Sequence, residues 1–101
     1  MQLVITPSIT QILNAICDIK SLNLFNAIAV KDGKTLDMRD QLSLSHKEFY
    51  SRISKLIRIG MIKCTDGKYS ITAFGRVIHE IQLTLEGTVE GYSEIKKLGF
   101  W

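Results

Sequence analysis

The apolar positions between residues 42 and 72 frame the whole chain. In LSLSHKEFYSRISKLIRIGMIKCTDGKYSIT, Phe49, Ile53 and Leu56 recur at helical spacing and share one face. Ser45 is an N-cap, and Glu48 three residues on completes a Ser-x-x-Glu capping box. Each side chain there accepts from a backbone N–H that the first turn leaves unpaired. Gly60 ends the helix, because glycine takes the left-handed conformation without a Cβ clash. Two β-prone runs, MIKC and YSIT, then flank Thr65-Asp66-Gly67-Lys68. Asp-Gly in that position predicts a type I′ hairpin, which needs positive φ at both central residues. The pattern predicts a helix over 46–58 followed at once by a hairpin over 62–71.

Flanking segments extend the pattern. Residues 1–6, MQLVIT, predict a short extended arm, and Thr6 before Pro7 predicts a helix start. Ile9, Ile12, Leu13 and Ile16 mark one face of that helix, which should end near Cys17 or Asp18. Ser21 predicts a second N-cap, with Leu22, Phe25, Ile28 and Ala29 on the inner face of the helix it opens. Lys31-Asp32-Gly33-Lys34 reads as a polar turn. Thr35 to Asp37 either form a short strand beside the hairpin or open the helix that Met38 to Leu42 continue. After the hairpin, Thr72 caps a helix beginning at Ala73, with Phe74, Val77, Ile78, Ile81 and Leu85 on its apolar face. Gly75 allows that helix a close approach to the core. A kink or break is expected near Gly87. Val89, Tyr92, Ile95 and Leu98 then predict a C-terminal helix over about 88–98, ahead of Gly99, Phe100 and Trp101.

The run LSLSHKEFYSRISKLIRIGMI, a short hairpin and then Y-S-I-T-A-F-G-R resembles a winged helix-turn-helix domain. Domains of that kind occur in MarR- and ArsR-type transcriptional regulators and in small archaeal DNA-binding proteins. The motif runs through residues 42–76, and with flanking helices the resemblance covers about 21–86. It implies a mainly α fold with a small β-hairpin wing (α+β). It also implies a single winged-helix domain over 1–101, with a core at about 21–86 and helical extensions at 1–20 and 87–101. The implied function is sequence-specific binding of double-stranded DNA by a transcriptional regulator. Winged helices also serve as protein–protein interaction modules in larger assemblies, and that is the alternative. Two positions depart from the family pattern. Ser43 stands where a turn glycine is usual, and Glu48 places a carboxylate near the start of the recognition helix, where it would repel phosphate.

The resemblance also assigns roles. The helix 46–58 would enter the major groove, with His46, Lys47, Tyr50 and Ser51 toward base edges and Ser54 and Lys55 deeper along the helix or at the backbone. Arg52, Lys55 and Arg58 would meet phosphates. The wing over 62–71 would reach the backbone or minor groove through Lys63 and Lys68.

Charge sharpens this picture. The chain of 101 residues carries a net charge of only +3. Between Ser45 and Lys68, however, six basic residues face two acidic ones, which concentrates the positive charge on the predicted helix and wing. A solvated helix face with a basic bias is the plain alternative. The hydrophobic fraction of 46% suits one modest core. No apolar run approaches the roughly 20 residues of a membrane span, and the N-terminus lacks signal-peptide features, so a cytoplasmic protein without membrane association is expected. Cys17 and Cys64 form no paired motif, and His46 and His79 join them in no ligand spacing, so no metal or cofactor is expected. No nucleophile–base or paired-carboxylate constellation points to an enzyme. A small-molecule effector is not identified. The apolar residues of the two terminal helices exceed what so small a domain buries easily, which predicts a homodimer joined through them, with packing inside one chain as the alternative.

Overall fold

The computed structural model describes residues 6–31 and 33–99. The arm expected over 1–6, apart from Thr6, lies outside the described residues, as do Asp32 and the terminal Phe100 and Trp101. The elements in order are α1 (Ile9–Ala15), α2 (Ile19–Val30), β1 (Gly33–Lys34), α3 (Thr35–Leu42), α4 (His46–Arg58), β2 (Ile62–Thr65), β3 (Lys68–Ile71), α5 (Ala73–Glu90) and α6 (Tyr92–Lys96). The fold is mainly α with an antiparallel β-hairpin, in a winged-helix layout. The hairpin is the larger part of a three-stranded sheet of order β1-β3-β2. The short strand is Gly33–Lys34, paired with Tyr69 and Lys68, whereas Thr35 to Asp37 open α3.

Helix boundaries follow the available hydrogen-bond acceptors. Ser45 and Glu48 form the capping box of α4, with Ser45 Oγ accepting from the Glu48 N–H and Glu48 Oε1 from the Ser45 N–H. Two expected starts shift. α1 is capped by Ser8, not Thr6, because Ser8 and Gln11 close a reciprocal capping box. α2 is capped by Asp18, not Ser21. The Asp18 carboxylate accepts from the Ser21 N–H at 2.6 Å, so Ser21 falls inside the first turn and is itself buried.

α3 and α4 end alike. The Leu44 N–H reaches back to Arg39 O and the Met61 N–H to Leu56 O, around Ser43 and Gly60 respectively. Both pivots have positive φ, 53° at Ser43 and 81° at Gly60. Serine therefore adopts a left-handed conformation that glycine would adopt at less cost. In the hairpin, Asp66 and Gly67 have φ of 52° and 76°, as a type I′ turn requires.

The core is one cluster. Leu24, Phe25 and Ile28 of α2 meet Phe49, Ile53 and Leu56 of α4, with Met38, Leu44, Met61, Ile62, Tyr69, Ile71 and Ala15 around them. Fully burying each large side chain contributes about 1.5–3 kcal/mol. Leu24 rather than Leu22 completes the inner face of α2. On α1, Ile12 and Ile16 pack partly against the core, while Ile9 and Leu13 of the expected face stay exposed.

α5 departs most from expectation. It runs through Gly87 to Glu90 without a break, since one glycine weakens a helix by about 1 kcal/mol and does not end it. The break comes at Gly91, and α6 covers only Tyr92–Lys96. The core side of α5 carries Gly75, Ile78 and Gln82, whereas Phe74, Val77, Ile81 and Leu85 are exposed. Of the expected apolar set Ile78 packs against the core, while the other four are offset from the observed inner side by one residue, about 100° around the axis. Two contacts hold this rotation. A Cβ on Gly75 would stand 2.0 Å from Met61 O, so only glycine fits against that carbonyl. Gln82 Nε2 donates to Asn26 Oδ1 of α2 at 2.6 Å.

Phe49 is 0% exposed. Phe49→Ala should lower unfolding free energy by about 3–5 kcal/mol through lost burial and a residual cavity, read by urea denaturation. In the same assay Ser43→Gly should raise stability by about 1 kcal/mol, because it relieves a side chain held at positive φ.

Candidate nucleic-acid interface

α4 displays distinct sides. Its inner side is Phe49, Ile53 and Leu56. Facing away from the core are Lys47, Ser51, Ser54 and Arg58, spaced four, three and four residues apart and all exposed. That spacing stacks them in a single column. No acidic side chain belongs to it. His46 and Tyr50 are neighbours on the next edge, their rings 4.4 Å apart. Tyr50 also meets Phe49 edge-on at 5.1 Å, and Phe49 meets Tyr69 of β3 at 5.8 Å. The core thereby orients a chain of rings that ends at an exposed tyrosine and histidine.

The remaining edge of α4 is tied to α2. The Lys20 ammonium pairs with the Glu48 carboxylate. Arg52 Nη2 lies 3.3 Å from Asp18 Oδ2, and its Nη1 donates to Glu48 O at 3.0 Å. The Arg52 side chain is only 19% exposed. Sequence reasoning assigned Arg52 to phosphates, yet here its guanidinium is turned inward by the carboxylate that caps α2. Reaching a phosphate would require it to leave Asp18. Glu48 raised the opposite concern, a carboxylate facing phosphate. Its oxygens are instead engaged by the Ser45 N–H and by Lys20. The Lys20 ammonium, and then the Ser45 N–H, hold the Glu48 carboxyl down at about 2. Asp18 also lies below the usual carboxylate range, chiefly through the Ser21 N–H, with Arg52 assisting.

The hairpin adds two cations. Lys63 pairs across the strands with Ser70, and Thr65 with Lys68, so Lys63 and Lys68 share one face of the wing. The opposite face carries Ile62 with Ile71 and Cys64 with Tyr69. Both lysines are exposed. Lys55 lies at the edge of α4 toward α1. There it borders a cleft of about 100 Å³ with Arg58, Gln11 and Asn14. Sequence reasoning treated α1 only as an extension and missed Gln11 and Asn14. Their three-residue spacing, which puts both on one side of a helix, was the available signal.

No family model, no curated protein and no solved structure matches the chain. The geometry therefore carries the functional reading. Nine of the ten expected contact residues, all but Arg52, are exposed on α4 or the hairpin. Among the described residues no helix is long and apolar enough to cross a membrane.

The ion pairs make a pH prediction. Glu48 has a folded-state pKa of about 2, against an ordinary value of 4.5. A lowered carboxylate stabilises the fold fully above its unfolded pKa, and that contribution fades as pH falls toward the folded value. Stability should therefore drop as pH falls from about 4.5 toward 2. Glu48→Gln should flatten this loss while keeping the capping box, as read by chemical denaturation across that range.

Proposed function

We propose that this chain is a sequence-specific, double-stranded-DNA-binding transcriptional regulator of winged-helix type, acting as a homodimer. The observation that carries the reading is the outward column of Lys47, Ser51, Ser54 and Arg58 on α4, beside the two lysines of the wing. A helix of this width fits the major groove, and the column presents donors and hydroxyls with no carboxylate to oppose phosphate. Lys47, Ser51 and the His46–Tyr50 pair occupy the N-terminal half of α4, which suits base edges. Arg58 sits in the last turn and Lys63 and Lys68 on the wing, where they would hold phosphates. Arg52 belongs to the scaffold in this reading, since Asp18 already holds it.

Support for the homodimer comes from α5. Val77, Ile81, Leu85 and Val89 are between 55% and 66% exposed and recur every four residues along it. A stripe of that kind is a protein-association surface. The radius of gyration of 15.6 Å also exceeds the roughly 13 Å of a compact domain of this length. A second copy would cover the stripe and present two recognition helices to a two-fold related site. The same stripe supports the second reading, a winged-helix protein–protein interaction module in a larger assembly.

Fluorescence anisotropy of a generic labelled duplex, titrated from low to physiological salt, separates the two. Binding that weakens steeply with salt supports the regulator. A folded protein that leaves the duplex free at low salt favours the interaction module. Lys68→Ala should weaken binding about equally on every sequence and reduce the salt slope by roughly one. Lys47→Ala should weaken binding too, and the melting temperature of both variants should match wild type. Sedimentation should give a dimer, and Ile81→Glu a folded monomer.

A further inference from the structure

We propose that the cleft between α1 and the last turns of α4 seats a backbone phosphate of the bound duplex, with Gln11 and Asn14 donating beside Lys55 and Arg58. This rests on the DNA-binding reading above and adds α1, so far an extension, to the interface.

The lining of the cleft is selective in one respect. Gln11, Asn14, Ala15, Lys55, Arg58 and Ile59 surround it, and none is acidic. A second hollow of about 360 Å³ shares Gln11, Arg58 and Ile59 and reaches Pro7 and Gly60. Gln11 is the third residue of α1, and its Oε1 accepts from the Ser8 N–H at 2.8 Å. Only the carboxamide oxygen can accept that bond, so the Gln11 amino group keeps its two donors. Asn14 is exposed beside it, and the nearby Cys17 thiol donates chiefly to the Asn14 backbone carbonyl at 3.2 Å, which leaves both amino hydrogens of the Asn14 carboxamide to donate. Neither Lys55 nor Arg58 joins an ion pair among the described residues. All four polar side chains therefore present donors, and two of them carry positive charge.

A phosphodiester is the complement, with acceptors alone and one negative charge. The C-terminal end of α4 would oppose an anion if its carbonyls were free. Three of the last four are engaged within the chain: Lys55 O, Leu56 O and Ile57 O accept from the N–H groups of Ile59, Met61 and Gly60. Arg58 belongs both to the outward column of α4 and to this cleft, so a strand lying along the column continues into it. The carboxamides are neutral. They add contacts without releasing counterions, so they raise affinity on every sequence and leave the salt slope unchanged.

The test turns donors into acceptors while keeping the helix cap. A glutamate at position 11 still closes the capping box with Ser8. Gln11→Glu combined with Asn14→Asp should bind a generic duplex on the order of tenfold more weakly per lost contact. Thr10→Glu, which adds a charge to an exposed α1 position outside the cleft lining, should lose much less. Circular dichroism and thermal melting check that both variants fold. In the wild-type protein, titration with the duplex should shift the side-chain amide NMR signals of Gln11 and Asn14. If those signals stay still and the double variant binds like the Thr10→Glu control, the phosphate seat is overturned while the DNA-binding reading stands. If the wild-type protein leaves the duplex unbound at low salt, both fall together. Should the double variant fail to fold, the wild-type amide signals decide alone.

Discussion

Three elements meet at the backbone of Met61. Its N–H closes the end of α4 on Leu56 O. Its carbonyl accepts from the Thr72 N–H at 3.2 Å and from Thr72 Oγ1 at 3.1 Å, just where α5 begins. Gly75 lies so close to that oxygen that no side chain fits between them. The Met61 side chain meanwhile is 0% exposed in the core. The end of the outward-facing helix, the start of the hairpin and the entry to α5 are thus held by one peptide unit, and displacing any of them leaves a buried carbonyl without a donor.

The rotation of α5 follows from that junction. Gly75 against Met61 O and Gln82 against Asn26 place one glycine and one polar residue on the buried side of α5. The large apolar ones, Ile78 excepted, turn outward, against the usual ordering by hydrophobic burial. Two fixed contacts, one in the first turn and one at the middle of α5, outweigh the pull of its apolar side chains. The single chain therefore leaves Val77, Ile81, Leu85 and Val89 of α5 exposed to solvent.

A second set of contacts sets the orientation of α4 relative to α2. Asp18 and Glu48 are helix-terminal acids, one capping α2 and the other closing the capping box of α4. Each also takes a cation from the opposite helix, Arg52 and Lys20 respectively. These pairs are partly exposed, so their net contribution to stability is small. Their effect is directional. They take two charges off the outer surface of α4 and leave Lys47, Ser51, Ser54 and Arg58 as its unobstructed column.

Much of this was legible in the sequence because it depends on neighbours a few residues apart. The Ser45–Glu48 capping box, the left-handed Gly60, the Asp66-Gly67 turn, the burial of Phe49, Ile53 and Leu56, the Thr72 cap and the tight fit of Gly75 all follow from local stereochemistry and helical period. Ser43 was flagged by its place in the pattern, and its positive φ is the outcome. The start of α2 at Asp18 was open to the same local reading, since aspartate caps as well as serine does. What only the tertiary structure decided involves residues far apart in the chain. Arg52 turns inward because Asp18, 34 residues earlier, lies across from it. α5 is rotated by Met61 and Asn26. Gln11 and Asn14 line one cleft with Lys55 and Arg58 because α1 packs along α4. Periodicity identifies which residues share a face, but the direction of that face is set by close contacts between distant parts of the chain.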